Sequence, residues 1–454
     1  MDGKRENFGS RTAYVMATAG SAIGLGNIWR FPYMVGEYGG AAFIIVYLLC
    51  GLVISLPIFY SEAIIGRRAR AGAFGAFEKL SPGTQWKRMG FITVLASFII
   101  VSYYSVVGGW SVDYLVRSCT GNLNAESQAQ VRALFDGMSG RVPESMAAFT
   151  IFLATTALIV KLGIKDGIEK FAKITTPALF VLIVAIVLFS VTLPGAEKGV
   201  EYLVKPDFSK LTPRSIAFAM GQSFYSLSLG VGCVLVYSSF MKKEDDMAVA
   251  GGWTFAFDTF FAILAGFAIM PAVFSAGLEP GAGPSLVFET LPYIFTKMGD
   301  TAPIISLAVT VLFFLAIFIA ALTSSISMYE TVVEYVVEKW GTSRRRASVI
   351  IFILAWLLGG VCCLSFGVLG GVKLFNYNIF GFLDMISSNY LMTFGAFGFA
   401  VYVGWVMKKE TVREEFTNCG SLLHNSRAFA YVHFMIKWII PVMILVIFFT
   451  NLFL

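Results

Sequence analysis

Apolar stretches of about twenty residues or more recur from one end of this chain to the other, each long enough to cross the ~30 Å hydrocarbon core of a bilayer. In lipid every backbone polar group must be satisfied within the protein, so spanning segments are helices or closed barrels. These stretches are continuous rather than alternating, which selects helices. Composition agrees: 57% of the residues are hydrophobic and only 14% charged, against about 25% charged in soluble domains. The fold class expected is an all-α polytopic membrane protein. Eleven spans are read, over 11–36, 41–66, 89–117, 145–162, 167–193, 214–240, 247–276, 302–337, 347–366, 375–406 and 432–453. Several exceed the membrane thickness, implying tilt or ends that project into water.

Basic residues gather in alternate connections: "RRARAG", "KLSPGTQWKR", "KLGIKDGIEK", "MKK", "KWGTSRRR" and "KKETVR". The positive-inside rule places these in the cytoplasm together with the N-terminus. An odd number of spans then leaves the C-terminus outside. The expected location is the cell membrane, multi-pass and in contact with lipid. The net charge of +6 sits at span ends, which gives no reason to expect a nucleic-acid partner. The charged start "MDGKRENFGSR" does not read as a cleavable leader. The six cysteines show no metal-ligand spacing, and no disulfide is expected. His424 and His433 are remote from the unusual segments. The connections are short, so residues 1–454 form one transmembrane domain, and "GAGPSLVFETLPYIFTKM" (281–298) is amphipathic enough to fold against the outer face.

Two spans carry their own helix breakers. Span 1 contains "GSAIGLGN" (20–27) and span 6 contains "SLSLGVG" (226–232). Each glycine disfavours helix by about 1 kcal/mol relative to alanine, and serines compete for backbone groups. Either segment alone reads more readily as close helix packing, since Gly20 and Gly24 have GxxxG spacing. Two interruptions at matching places in two sets of five spans favour a duplicated unit. With five spans each, the halves are inverted in the membrane: repeat one at about 11–193, repeat two at about 214–406, and an extra span at 432–453. Broken helices at mid-membrane present carbonyls to cations and N–H groups to anions. The breaks therefore point to a site for cations together with a carboxylate-bearing solute.

The stretch "AGSAIGLGNIWRFPYMVGEYGGAAF", supported by "FYSLSLGVG", "AALTSSIS" and "GPSLVFETLP", resembles the neurotransmitter:sodium symporter family, in particular its prokaryotic amino-acid carriers. The resemblance covers nearly the whole chain. It implies inverted five-helix repeats with broken helices 1 and 6, two sodium sites and alternating access. Sodium is implied as the coupling ion, with no other cofactor.

Carried over residue by residue, the resemblance implies sodium site one at Ala22, Asn27 and Ser226, with Asp258 where the family usually has Asn. A carboxylate there replaces the chloride that some relatives need, so chloride independence is expected. An acid inside an apolar span is a functional suspect in its own right. Sodium site two maps onto Gly20, Ile23, Ala320, Thr323 and Ser324. The substrate carboxylate is expected on the N–H groups of Leu25 and Gly26 and the hydroxyl of Tyr104. The side-chain pocket is expected from Ile100, Tyr104, Tyr225, Ser228, Val231, Ser325 and Met328. Amine carriers of the family place an aspartate in the first break, whereas this chain has Gly24. The ligand must then bring its own carboxylate, as an amino acid does. Val231 stands where some relatives carry an aromatic, which suits a large hydrophobic or aromatic side chain.

The resemblance also implies gates. Arg30 would pair with Asp384 on the outer side. Arg5 and Glu338 would pair on the inner side, with Ser239 and Glu330 nearby and with Glu338 replacing the usual Asp. Glu62 would tie span 2 to one of the two breaks. Gly167, ten residues before Pro177, marks a weak start to span 5. An ion channel or a non-transporting amino-acid sensor of the same architecture are the alternatives. No nucleophile–base pair or metal cluster suggests an enzyme.

Overall fold

The computed structural model describes residues 6–123, 127–278, 287–288, 290–299 and 303–453. Among these, eight helices are long and apolar enough to cross a membrane, and a bent pair at Ile379–Val406 and Lys409–Thr417 brings the number to nine. The observed helices include Ala41–Ala69, Lys87–Thr120, Val142–Lys161, Ile164–Ser190, Met247–Ser275, Pro303–Trp340, Arg344–Leu364 and His424–Thr450. These coincide with the expected spans 2–5, 7–9 and 11, and the bent pair with span 10. The two expected spans missing from the set are 1 and 6, each split into pieces too short to cross alone.

Span 1 runs as Arg11–Ala22, then a π-helical turn Gly26–Arg30, then Phe31–Tyr38. Span 6 runs as Pro213–Ser226 and Cys233–Ser238. Ser10 caps the first piece, its side chain accepting from the Ala13 N–H, and a Thr212/Ser215 capping box starts the sixth. The second break is held open by its backbone: Gly230 and Gly232 have φ of +84° and +78°, and Ser228 takes φ +52°. Glycine adopts such angles freely, while a serine there costs about 1–2 kcal/mol.

The longest helices, spans 3 and 8, pack along each other and form a wall against which the broken helices sit. Buried small residues permit close approach. A Cβ at Gly109 would lie 2.6 Å from the Phe149 nitrogen, and one at Gly359 2.7 Å from the Ser102 carbonyl oxygen. Span 5 starts with a π-helical turn, Ile164–Glu169, and continues as Lys170–Ser190 with Pro177 inside it. Its Gly167 presses against the Ile159 carbonyl, so its lack of a side chain serves close packing of spans 4 and 5.

Two boundaries differ from expectation. Residues 373–378, partly assigned to span 10, form a two-stranded hairpin pairing Lys373 with Asn378, and the helix starts at Ile379. Phe375 and Asn376 adopt φ of +49° and +69°, the left-handed pair a tight hairpin turn demands. The last span begins at Leu423 rather than 432, because its polar first turns are anchored by His424 and Asn425 to Asp246 at 2.9 Å each. Of the stretch 281–298, residues 290–298 are helical; 281–286 and 289 lie outside the described residues.

Candidate functional site

The first break reroutes the backbone in a way that follows from its residues. A continuous helix would send the Gly24 N–H to the Gly20 carbonyl. Here it donates to Asn27 Oδ1 at 3.1 Å. The Leu25 N–H, whose helical partner would be Ser21, donates to the Tyr104 hydroxyl at 3.3 Å. The Gly20 and Ser21 carbonyls thereby lose their helical partners, the Asn27 N–H turns to the Gly24 oxygen rather than that of Ile23, and hydroxyls of span 8 meet the Ser21 and Ile23 oxygens. Thr323 Oγ1 lies 3.3 Å from the Ile23 oxygen and 2.9 Å from the Ala320 oxygen. Ser324 Oγ donates to the Ser21 oxygen at 2.9 Å. Gly24 has no room for a side chain: a Cβ would collide with Ser324 Oγ and lie 3.2 Å from the Tyr104 oxygen.

Asn27, Ser226 and Asp258, from three spans, meet as one buried cluster. Asn27 Nδ2 donates to Asp258 Oδ1 at 2.7 Å, and Ser226 Oγ lies 2.8 Å from Asp258 Oδ2 and 3.2 Å from Asn27 Nδ2. All three are at most 2% exposed. Such an oxygen-rich set, with one carboxylate, an amide and a hydroxyl beside released carbonyls, suits a hard monovalent cation. Gln222 Nε2 donates to the Gly26 carbonyl at 2.9 Å and holds that peptide in place. Nothing in the residue pattern signals this bond, because a buried glutamine in an apolar span looks like any other polar residue of the broken helix.

A cavity of about 30 Å³ lies beside these groups, lined by Ala22, Gly24, Leu25, Gly26, Ile100, Tyr104, Tyr225, Ser226, Ser228, Val231, Ser324, Met328 and Met392. Eight of the nine expected substrate residues are in this lining. Ser325 is the exception. One residue further round the helix than Ser324, it points toward span 4, where Thr156 Oγ1 lies 3.2 Å from its hydroxyl. A step of one residue turns a helical side chain by about 100°, so Ser324 faces the cavity and Ser325 does not. Met392 of span 10 was not expected there. Among the second-site residues, Gly20 abuts Thr176, whose hydroxyl would lie 2.6 Å from a Cβ.

Above this lies a larger cavity of about 680 Å³, reaching the 377–378 hairpin and the end of the last span at Thr450. Leu25, Gly26, Tyr104 and Tyr225 line both cavities and form the partition between them. Arg30 and Asp384 both line the larger one, yet they are not within ion-pair distance. The Arg30 guanidinium stacks 4.5 Å from the centre of the Tyr225 ring. Asp384 Oδ1 accepts from Tyr103 at 2.9 Å and Ser388 at 3.0 Å. The expected outer pair is thus a pair of neighbours across a cavity, each held by other groups.

At the opposite end the start of the described chain packs against the tips of the two broken spans. Phe8 is buried among Tyr14, Tyr237 and Phe240, and its N–H donates to the Phe240 oxygen at 3.0 Å. Two glutamates exchange contacts between this segment and span 5. Glu6 accepts from the Ile164 N–H at 3.0 Å, and Glu169 from the Gly9 N–H at 2.8 Å. Arg5 lies outside the described residues, and Glu338 accepts the Gly72 N–H at 2.6 Å. Glu330, expected beside that pair, is fully buried and takes a two-pronged contact from Arg344, with Nη1 at 2.9 Å. Arg344 hides in the sequence as the first of three consecutive arginines. Glu62 joins the second break rather than the first, accepting from the N–H groups of Gly230 at 2.7 Å and Leu235 at 3.4 Å.

Comparison with known proteins adds four findings. The model of the sodium:neurotransmitter symporter family matches residues 5–133 and 129–454. An uncharacterized sodium-dependent transporter of Bacillus subtilis is 38% identical over 447 residues, covering 98% of this chain and 97% of that protein. Another of Haemophilus influenzae is 36% identical over 464 residues, covering 99% of each. The crystal structure of MhsT in complex with L-phenylalanine superposes with a TM-score of 0.88 at 38% identity, covering 98% of this chain and 100% of that one.

Proposed function

We propose that this chain, which belongs to the sodium:neurotransmitter symporter family and is thus a sodium-dependent symporter, takes up large hydrophobic or aromatic L-amino acids, coupled to two sodium ions and without chloride. The observation that carries the reading is the buried meeting of Asn27, Ser226 and Asp258 beside a break whose own residue is Gly24. A cation bound by this cluster gains a fixed negative charge from Asp258, so no mobile anion is needed beside it. The break offers no acid to a bare amine. The substrate's carboxylate supplies that charge, received by the N–H groups of Leu25 and Gly26 and the Tyr104 hydroxyl.

The second sodium would take the carbonyls of Gly20, Ile23 and Ala320 with the hydroxyls of Thr323 and Ser324. Thr323 Oγ1 already bonds two of those carbonyls, which supports the assignment. That MhsT binds L-phenylalanine supports a large apolar side chain. The inverted repeats take residues 11–193 and 214–406, a division supported by the matching breaks. The chain sits in the cell membrane with its N-terminus in the cytoplasm, so the larger cavity is the outer vestibule. Arg30 and Asp384 close it after substrate binds, and Arg5 and Glu338 act on the inner face.

Sodium-dependent uptake into proteoliposomes, with all twenty amino acids as competitors and gluconate replacing chloride, tests this reading. Saturable uptake competed by phenylalanine, tryptophan or leucine, and unchanged in gluconate, is expected. Uptake competed by no amino acid overturns the substrate assignment, and loss of uptake in gluconate overturns the role of Asp258.

A further inference from the structure

The cavity at the junction of the two breaks, about 30 Å³, holds no more than a few water molecules. A large side chain enters it only if part of the wall moves, and most of the wall is fixed. The Val231 carbonyl accepts from Ser97 at 2.8 Å. Gly230 lies so close to the Met392 carbonyl, and Gly395 to the Gly230 carbonyl, that a Cβ at either would collide. The second break and span 10 are therefore in main-chain contact, with no slack for the helix to slide inward. Ile100 is β-branched and stiff at its first torsion. Tyr104 is tied to the Leu25 N–H. Besides Tyr225, whose ring lines both cavities, the adaptable side chains of this wall are two thioethers, Met328 and Met392, buried at 5% and 3% exposure. Their unbranched chains have three rotatable bonds and adapt to irregular space.

We infer that Met392 is a specificity-determining residue of the carrier, a movable wall whose rotamer, together with that of Met328, sets the largest substrate side chain admitted. The inference rests on the amino-acid reading above and extends it to a span that contributes none of the expected ligands. Two observations single out Met392. It follows directly on the π-helical stretch Met385–Leu391, and such turns inside helices concentrate at functional sites. Its neighbours Ser388, Asn389 and Thr393 line the outer cavity, while Met392 lines the inner one. One short segment thus walls both, so a shift of the segment that carries Asp384 also reshapes the side-chain space.

The test measures kcat/KM for L-tryptophan and L-leucine uptake by the full chain in proteoliposomes, for the unaltered protein, Met392→Ala, Met392→Phe and the volume-conserving Met392→Leu. One methylene in an apolar pocket is worth roughly 10–200-fold in selectivity. Met392→Ala should raise the tryptophan-to-leucine ratio at least about tenfold, and Met392→Phe should lower it by a similar factor. Met392→Leu, branched and less adaptable, should lower the ratio by a smaller factor. If Met392→Phe does not reach the membrane, the Ala and Leu variants decide. Unchanged ratios in folded variants, alongside normal uptake by the unaltered protein, overturn the wall and leave the amino-acid reading intact. Absence of any amino-acid uptake by the unaltered protein overturns both.

Discussion

Asp258→Asn isolates the charge at the proposed first sodium site. The carboxylate accepts from Asn27 Nδ2 at 2.7 Å and from Ser226 Oγ at 2.8 and 3.0 Å. An amide keeps one acceptor for Asn27, and the Ser226 hydroxyl can rotate to accept from the new NH₂ group. The neutral framework thus survives at a cost of about 1 kcal/mol, the scale of one ordinary hydrogen bond. The loss to sodium is larger. A unit charge about 4 Å from a cation is worth ~4 kcal/mol at an effective dielectric of ~20, which corresponds to roughly a thousandfold in affinity. Partial compensation by the remaining oxygens leaves an expected weakening of about 100- to 1000-fold. The assay is sodium titration of radiolabelled phenylalanine binding in detergent, run in chloride and in gluconate, with thermal unfolding as the control for folding. The unaltered protein should give one curve in both salts, and the variant a right-shifted curve that chloride partly restores. A sodium midpoint within threefold of the original, in a folded variant, would refute the assignment of Asp258 to the ion.

Thr323→Ala removes the hydroxyl shared by the Ile23 and Ala320 carbonyls; sodium affinity should fall about tenfold, read from sodium-dependent changes in tryptophan fluorescence, and an unmoved midpoint would count against the second site. Gly24→Ala drives a methyl into Ser324 Oγ and toward the Tyr104 oxygen; overpacking should cost about 1–3 kcal/mol of stability and abolish saturable amino-acid binding, and retained binding would show that the break does not face the ligand. Glu169→Gln weakens the contacts from Gly9 at 2.8 Å and Lys173 at 2.6 Å; amide exchange at residues 6–12 and 164–170 should quicken about fivefold, equivalent to ~1 kcal/mol of local stability, and unchanged exchange would show that this clamp does not hold the N-terminal segment on span 5.

The spans were legible because a bilayer imposes one coarse demand, continuous apolar length, which 57% hydrophobic residues meet repeatedly. The breaks were legible for the opposite reason, since glycine and serine at 20–27 and 226–232 violate that demand twice. Register was harder. Ser324 and Ser325 are adjacent and chemically identical, and only the observed rotation of span 8 sends one to the cavity and the other to Thr156. Met392 gave no signal, because methionine in an apolar span is ordinary packing until a neighbouring span approaches it. The hairpin at 373–378 was absorbed into span 10, as "KLFNYN" is apolar enough to continue a helix and carries no glycine to mark its turn. Pairings between distant charges were the least legible. Arg30 and Asp384 were paired through the family resemblance, but an aromatic face and two hydroxyls compete for them.

That competition bears on how the carrier couples substrate to closure. For Arg30 to reach Asp384, its guanidinium must leave the Tyr225 ring, 4.5 Å away, at a cost of about 0.5–2 kcal/mol. Asp384 must also loosen contacts from Tyr103 and Ser388, each worth ~1.5–3 kcal/mol as bonds to a charged group. Both groups are already partly buried, and the water they give up on pairing offsets much of the Coulombic gain. The pair therefore does not close the vestibule by its own attraction, and a separate source of free energy is required. Tyr225 supplies the link, because it lines both cavities. In the proposed cycle a ligand that fills the inner cavity and packs against Tyr225 would shift the ring, and with it the resting place of Arg30. Closure driven in this way would happen only with substrate aboard, which is the condition a symporter must meet to avoid leaking sodium alone.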